Sequence, residues 1–215
     1  MRARGCPERG AAAPNRVVGV ISARTIVFDL GGVLVPTSRV IPRLAEATGV
    51  DEVTFSAAYW TARTEYDLGG DPVAYWTSVV TALGREPEPA LVAHLQDVDS
   101  HKWSTLPDES VALLDRLRGE RIAVLSNAPA PLAAAVRAAP WSAAAERLLF
   151  SADVGLMKPD PRVYARADAE LGTAPGRAVF FDDKAENVEA ARAHGWAAHV
   201  WDGPAAALRA LAAAA

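Results

Sequence analysis

Five short runs that are apolar on both faces recur along this chain, at residues 25–28, 121–125, 147–150, 178–181 and 197–201. A strand with one wet face alternates apolar and polar residues. Strands apolar on both faces are covered on both sides, as in a parallel sheet whose crossover helices lie above and below it. Helical patterns separate the runs at 108–118, 131–139, 161–171 and 185–194, and 204–214 reads as a closing helix. This alternation predicts a doubly wound, parallel, Rossmann-like α/β sheet.

One interval breaks the rhythm. Residues 38–105 contain no convincing strand and four helical segments, 40–48, 51–66, 72–83 and 89–97, punctuated by Gly49, Gly69-Gly70 and Gly84. The expected organisation is therefore an α/β core from 24–37 and 106–215, with a small all-helical cap, 38–105, inserted after the first strand. Residues 1–23 are rich in Arg, Ala, Gly and Pro, lack periodicity and read as a disordered tail.

Composition narrows the function. A chain of 215 residues holds one sizeable core with room for an accessory module. The net charge of −4 and the lack of a Lys/Arg stripe disfavour nucleic acid. An anionic small molecule stays compatible, because local charge in a cleft outweighs the total. Cys6 is the single cysteine, so neither an intrachain disulfide nor a thiolate metal site is available. No apolar run approaches the ~20 residues that span a bilayer, and 17–21 is too short for a signal-peptide core. A cytoplasmic monomer or homodimer, without membrane partners, is the expectation.

The chemistry-bearing residues cluster where the predicted strands end, which is where open α/β sheets bind ligands. Asp29 closes the first strand and is followed by Gly31 and Gly32, which let backbone approach a ligand. It suits a metal ligand, a nucleophile or a turn. Ser126-Asn127 closes the second strand and suits either an anion site or a helix cap. Lys158 precedes Pro159, which stiffens the segment presenting it. Asp182-Asp183 follows the apolar fourth strand. Two adjacent acids there are costly unless they bind a cation or cap a helix, and Asn187 lies one turn beyond Asp183. Hard oxygen donors without His or Cys suit magnesium.

In their order, these segments resemble the haloacid dehalogenase-like superfamily from Thr25 to about Trp201. The stretches Gly-Leu-Met-Lys-Pro-Asp-Pro (155–161) and Phe-Phe-Asp-Asp-Lys-Ala-Glu-Asn-Val (180–188) are the most specific. The resemblance is nearest to the branch of sugar-1-phosphate phosphatases and epoxide hydrolase phosphatase domains. It implies Asp29 as nucleophile, Ser126 as phosphate binder with Gly31, Gly32 and Asn127 nearby, and Lys158 as bridging lysine. It further implies Mg2+ on Asp29, Asp183 and the Gly31 carbonyl, supported by Asp182 and Asn187. The insertion corresponds to the family's cap. Its 66–70 loop is the candidate for reaching into the site, with Arg63, Tyr66 and Asp67 as candidate substrate contacts.

One position departs from the family pattern. Phosphatases of this kind usually carry a second Asp two residues after the nucleophile as general acid and base, and here that residue is Gly31. Three readings follow. The first is a phosphatase of small phosphorylated metabolites working through an aspartyl-phosphate. The second is a metal-free 2-haloacid dehalogenase, with Arg39 or Arg63 and Trp60 available to cradle halide. The third is a fold that binds without turnover.

Overall fold

The computed structural model describes residues 24–174 and 176–213; the segment read as a tail lies outside them. Strand β1 (Thr25–Phe28) is buried throughout. The insertion follows as α1 (Ile41–Thr48), α2 (Glu52–Thr61), α3 (Arg63–Asp67), α4 (Pro72–Ala82) and α5 (Pro89–Ser104). The chain then alternates through α6 (Asp108–Arg116), β2 (Arg121–Ser126), α7 (Ala130–Ala138), β3 (Arg147–Phe150), α8 (Ser151–Val154), α9 (Pro161–Leu171), β4 (Ala178–Asp182), α10 (Ala185–His194), β5 (Ala197–Val200) and α11 (Gly203–Ala213).

The sheet has the order β3-β2-β1-β4-β5 and every pairing is parallel. Successive connections run outward on one side of β1 and then on the other, so the strand order reverses beside β1 and opens a crevice at its carboxyl end. Phe28 faces Val124 on one side and Phe181 on the other. The next residues, Asp29, Leu125-Ser126 and Asp182, therefore emerge side by side.

Period-two alternation divides the sheet between two cores. Ile26, Phe28, Val124 and Phe181 join the core shared with the insertion. Val27, Ala123, Leu125 and Phe180 pack instead with Val163, Tyr164, Val188 and Ala191 of α9 and α10. Side-chain caps fix several helix starts: Asp51 accepts from Thr54 N, Asp71 from Ala74 N and Asp160 from Arg162 N, with Pro72 and Pro161 in the first turns of α4 and α9.

Two helices depart from the sequence expectation. The segment 51–66 breaks at Ala62 (φ −106°, ψ 12°), although no glycine or proline marks the place. Beyond it Arg63, Tyr66 and Asp67 are all buried, so tertiary pairing rather than local propensity sets the break. The helix read as ending at 97 continues to Ser104. Its polar-looking stretch hides one buried face, because Asp99 and Trp103, a turn apart, both point inward.

Candidate active site

Asp29 N donates to Phe181 O at 2.9 Å, which extends the ladder one residue past β1 and holds the carboxylate at the sheet rim. Asp29 Oδ1 accepts from Leu30 N at 2.7 Å and lies 2.9 Å from Lys158 Nζ. Among the described residues Oδ2 has no hydrogen-bond partner, so it is the oxygen left for an incoming electrophile.

Lys158, 2% exposed, spans two carboxylates: its Nζ also donates to Asp182 Oδ2 at 2.7 Å. Asn127 holds its main chain, with Nδ2 donating to Lys158 O and Oδ1 accepting from Lys158 N, both at 2.9 Å. Asn127 lines the cavity as expected, and its side chain has the further task of placing Lys158. Ser126, buried at the end of β2, borders the cavity and does not cap α7, whose N-cap is Pro129.

Asp182, fully buried, accepts at Oδ1 from Lys184 N and from Asn187 Nδ2, each at 2.9 Å. Asn187 therefore orients Asp182, not Asp183 as its four-residue spacing suggested. The two glycines divide their tasks. Gly32 has φ +78°, and a Cβ there would meet Asp183 Oδ2 at 2.2 Å. Its N–H is bonded to Val35 O at 2.8 Å, so Gly32 admits Asp183 to the site instead of binding substrate. Gly31 is not among the positive-φ glycines, but a Cβ there would stand 3.2 Å from the Trp103 ring.

The electrostatics follow from burial. Desolvation raises the Asp29 carboxyl to about 6 against the pull of Lys158, with Asp182 adding to the rise. For Lys158, burial would lower the ammonium, but Asp29 and Asp182 outweigh it and hold the group above its ordinary value. Asp183, at the solvent edge, is raised by partial burial and by Asp182.

Carboxylate oxygens of Asp29, Asp182 and Asp183 lie within 4.8 Å of one another. Lys158 is the one ammonium buried among them, so two negative charges stay uncompensated inside the cluster when all are ionised. Two neutral acceptors at the cavity also lack donors. The Gly31 carbonyl accepts no hydrogen bond among the described residues, and Asn187 Oδ1 is buried and unpartnered. This set of hard oxygens fits a hydrated divalent cation such as Mg2+.

The cavity is about 280 Å³ and is closed on the insertion side by Trp60, Arg63, Thr64, Asp67 and Trp103. Arg63, 6% exposed, donates through Nε to Asp67 Oδ1 at 2.7 Å and through Nη1 to Tyr59 OH, and its Nη1 lies 3.6 Å from Asp99 Oδ2. Its guanidinium also lies 4.8 Å from the Tyr59 ring centre. Tyr66 does not line the cavity. It is buried and stacks on Tyr75 with ring centres 4.1 Å apart, and this corrects its placement as a substrate contact. Of the 66–70 loop Asp67 alone lines the cavity; Gly69 lies against Ala152, and Ser151 Oγ donates to Asp67 O, so the loop also latches the insertion to α8. Arg39 is exposed and outside the cavity lining.

Sequence reasoning did not single out Trp103, Asp99 or Tyr59. The signal was present as helical spacing. Tyr59, Arg63 and Asp67 recur every fourth residue, and Asp99 and Trp103 do the same.

The model of the haloacid dehalogenase-like hydrolases matches residues 23–195. The chain belongs to this family. Among relatives of this HAD-like hydrolase, phosphatase MT3486 of Mycobacterium tuberculosis is 35% identical over 99 residues, covering 45% of this chain and 46% of that protein. (S)-2-haloacid dehalogenase 4A of Burkholderia cepacia is 26% identical over 181 residues, 77% of each chain. The structure of a HAD family enzyme from Bacteroides thetaiotaomicron in complex with magnesium and inorganic phosphate superposes with a TM-score of 0.65 at 17% identity, covering 84% of this chain and 95% of that one. The hydrolase reading and the parallel α/β fold thus stand, and the relatives include both phosphatases and dehalogenases.

Proposed function

We propose that this HAD-like hydrolase is a magnesium-dependent phosphatase of small phosphate monoesters, with Asp29 as covalent nucleophile. The observation that carries the reading is Asp183. It brings a third carboxylate up to Asp29 and Asp182 at a place where only Gly32 gives it room. Attack by a carboxylate on carbon needs no such group, whereas a dianionic phosphoryl group beside three carboxylates needs added positive charge.

The chain's own groups divide the work. Asp29 Oδ2 attacks phosphorus, the bond from phosphorus to the ester oxygen breaks, and an aspartyl-phosphate forms. Lys158, fixed by Asp29, Asp182 and Asn127, keeps positive charge at the reacting centre. Ser126 and Asn127 border the cavity at the end of β2 and would meet the phosphoryl oxygens through the Ser126 hydroxyl and the Asn127 main-chain N–H. Water then attacks phosphorus, releasing inorganic phosphate and regenerating Asp29. A divalent cation, when bound by Asp29, Asp183 and the Gly31 carbonyl, neutralises charge between carboxylate and phosphoryl oxygens.

The dehalogenase reading has its own support, in the relative that matches over 77% of the chain and in Arg63 beside Trp60 and Trp103. There Asp29 would attack the halogen-bearing carbon and Arg63 would receive halide. One experiment separates the two readings: p-nitrophenyl phosphate and 2-chloropropionate, each assayed with Mg2+ and with EDTA. Phosphate release abolished by EDTA supports the phosphatase. Chloride release that survives EDTA overturns it.

A further inference from the structure

When Asp29 takes a phosphoryl group from an alkyl ester, the departing oxygen carries a full negative charge unless a proton reaches it. Few groups in the cavity can deliver one. Lys158 is held between two carboxylates, Lys184 is a solvent-exposed ammonium at the rim, Asp183 belongs to the cation set, and the hydroxyls of Ser126, Thr37 and Thr64 are too weakly acidic. Above Gly31 the space is filled by the Trp103 ring, which has no acidic proton to give.

Asp67 remains. It lines the cavity from the cap side, at the end of α3 and 6% exposed. Its Oδ1 is occupied by Arg63 Nε, while Oδ2 makes no hydrogen bond among the described residues and is not sealed from the cavity. Its main chain is tied to the core through Ser151, so the carboxyl is presented across the cleft from Asp29. We propose that Asp67 is the general acid and base of this site. Oδ2–H gives its proton to the ester oxygen as the phosphorus–oxygen bond breaks and the phosphoryl group passes to Asp29. The resulting carboxylate then takes a proton from the water that attacks the phospho-aspartate, which returns Asp67 to its starting state.

The surroundings suit both halves of this cycle. Burial lifts the Asp67 carboxyl to about 6, opposed by Arg63, raised further by Asp99 and lowered by Lys184. The phenols of Tyr59 and Tyr75, on α2 and α4, are themselves raised and stay neutral. An acid near neutrality exchanges protons in either direction.

The proposal rests on the phosphatase reading, and its test separates the two. Wild type and Asp67→Asn are assayed with Mg2+ on monoesters from p-nitrophenyl phosphate to a primary alkyl phosphate. The amide oxygen still accepts from Arg63, so the melting temperature should stay close to wild type. The expected loss in kcat/KM is about 10²–10⁴-fold on the alkyl ester and under about 10-fold on the aryl ester. An equal loss on every ester would make Asp67 a mere support for Arg63 and overturn the proposal alone. Absence of phosphatase activity in the wild type would overturn the phosphatase reading and this one with it. If Asp67→Asn does not fold, the wild-type pH profile decides: alkyl-ester kcat should fall above pH ~6 while aryl-ester kcat does not, and parallel profiles would overturn the proposal.

Discussion

Asn127 grips Lys158 at both ends of its backbone, donating from Nδ2 to its carbonyl and accepting at Oδ1 from its N–H, each at 2.9 Å. The amide is complementary to one residue of chain, and no other side-chain type of similar size offers both a donor and an acceptor there. Asn127→Ala should cost about 1–3 kcal/mol of stability and lower kcat more than it raises KM, because Lys158 loses its placement and not its charge. Asn127→Asp should not rescue, since a carboxylate cannot donate to Lys158 O. A melting curve and steady-state kinetics for both variants check this; wild-type kcat in Asn127→Ala would contradict it.

Asp29→Asn should abolish turnover, by about 10³-fold or more, with the fold retained. The amide preserves size and accepts from Leu30 N as Asp29 does, but it is a poor nucleophile. Near-normal activity in a folded variant would exclude covalent catalysis at Asp29.

Asp183→Ala should raise the magnesium concentration needed for half-maximal activity at least about tenfold. In EDTA the same variant should melt higher than wild type, because one of three crowded carboxylates is gone. Unchanged magnesium dependence would move the cation to other ligands.

Metal-free protein should become less stable as pH rises from about 4 to about 7. Asp29 and Asp67 have carboxyls raised to about 6 from 3.8. A raised acid binds its proton more tightly folded than unfolded, so its stabilising contribution is full below the unfolded value and disappears as pH passes the folded one. Lys158, raised as a base, keeps its contribution across this window. Thermal melts of wild type and Asp29→Asn in EDTA across the window check the sign: the variant should show the shallower decline.

Gly31→Asp meets a side chain, not a backbone barrier. The position is not left-handed, and the obstacle is Trp103 at 3.2 Å. The single variant should lose about 1–3 kcal/mol through overpacking, and Gly31→Asp with Trp103→Leu should recover part of it, as coupled neighbours do. The double variant should gain relative activity on alkyl esters. Strict additivity of the two stability changes would show that the residues do not compete for the same space.

The core was legible in the sequence because its signal is local. Strands apolar on both faces and acids at their ends were enough to place Asp29, Ser126, Lys158 and Asp182-Asp183 on one sheet edge. The cap was legible as helices but not as a surface. The break at Ala62, the inward turn of Asp99 and Trp103, and the withdrawal of Tyr66 from the cavity depend on a buried polar cluster whose members are 40 residues apart in some pairs, Tyr59 with Asp99 among them. Which of two glycines touches Asp183 and which faces Trp103 is likewise decided by packing across the cleft.

The central position of β1 also bears on how the protein is made. Its neighbours on both sides, β2 and β4, are synthesised long after it, with the whole insertion in between. During translation the strand that carries the nucleophile must therefore wait for β2 to cover one edge, and its other edge stays open until Val179-Phe180-Phe181 leaves the ribosome. No nascent chain should react early, because Asp182, the second carboxylate that holds Lys158, and Asp183 arrive only with that last central strand. A product truncated before β4 would be inert and would expose a sticky edge for chaperones and proteases to recognise.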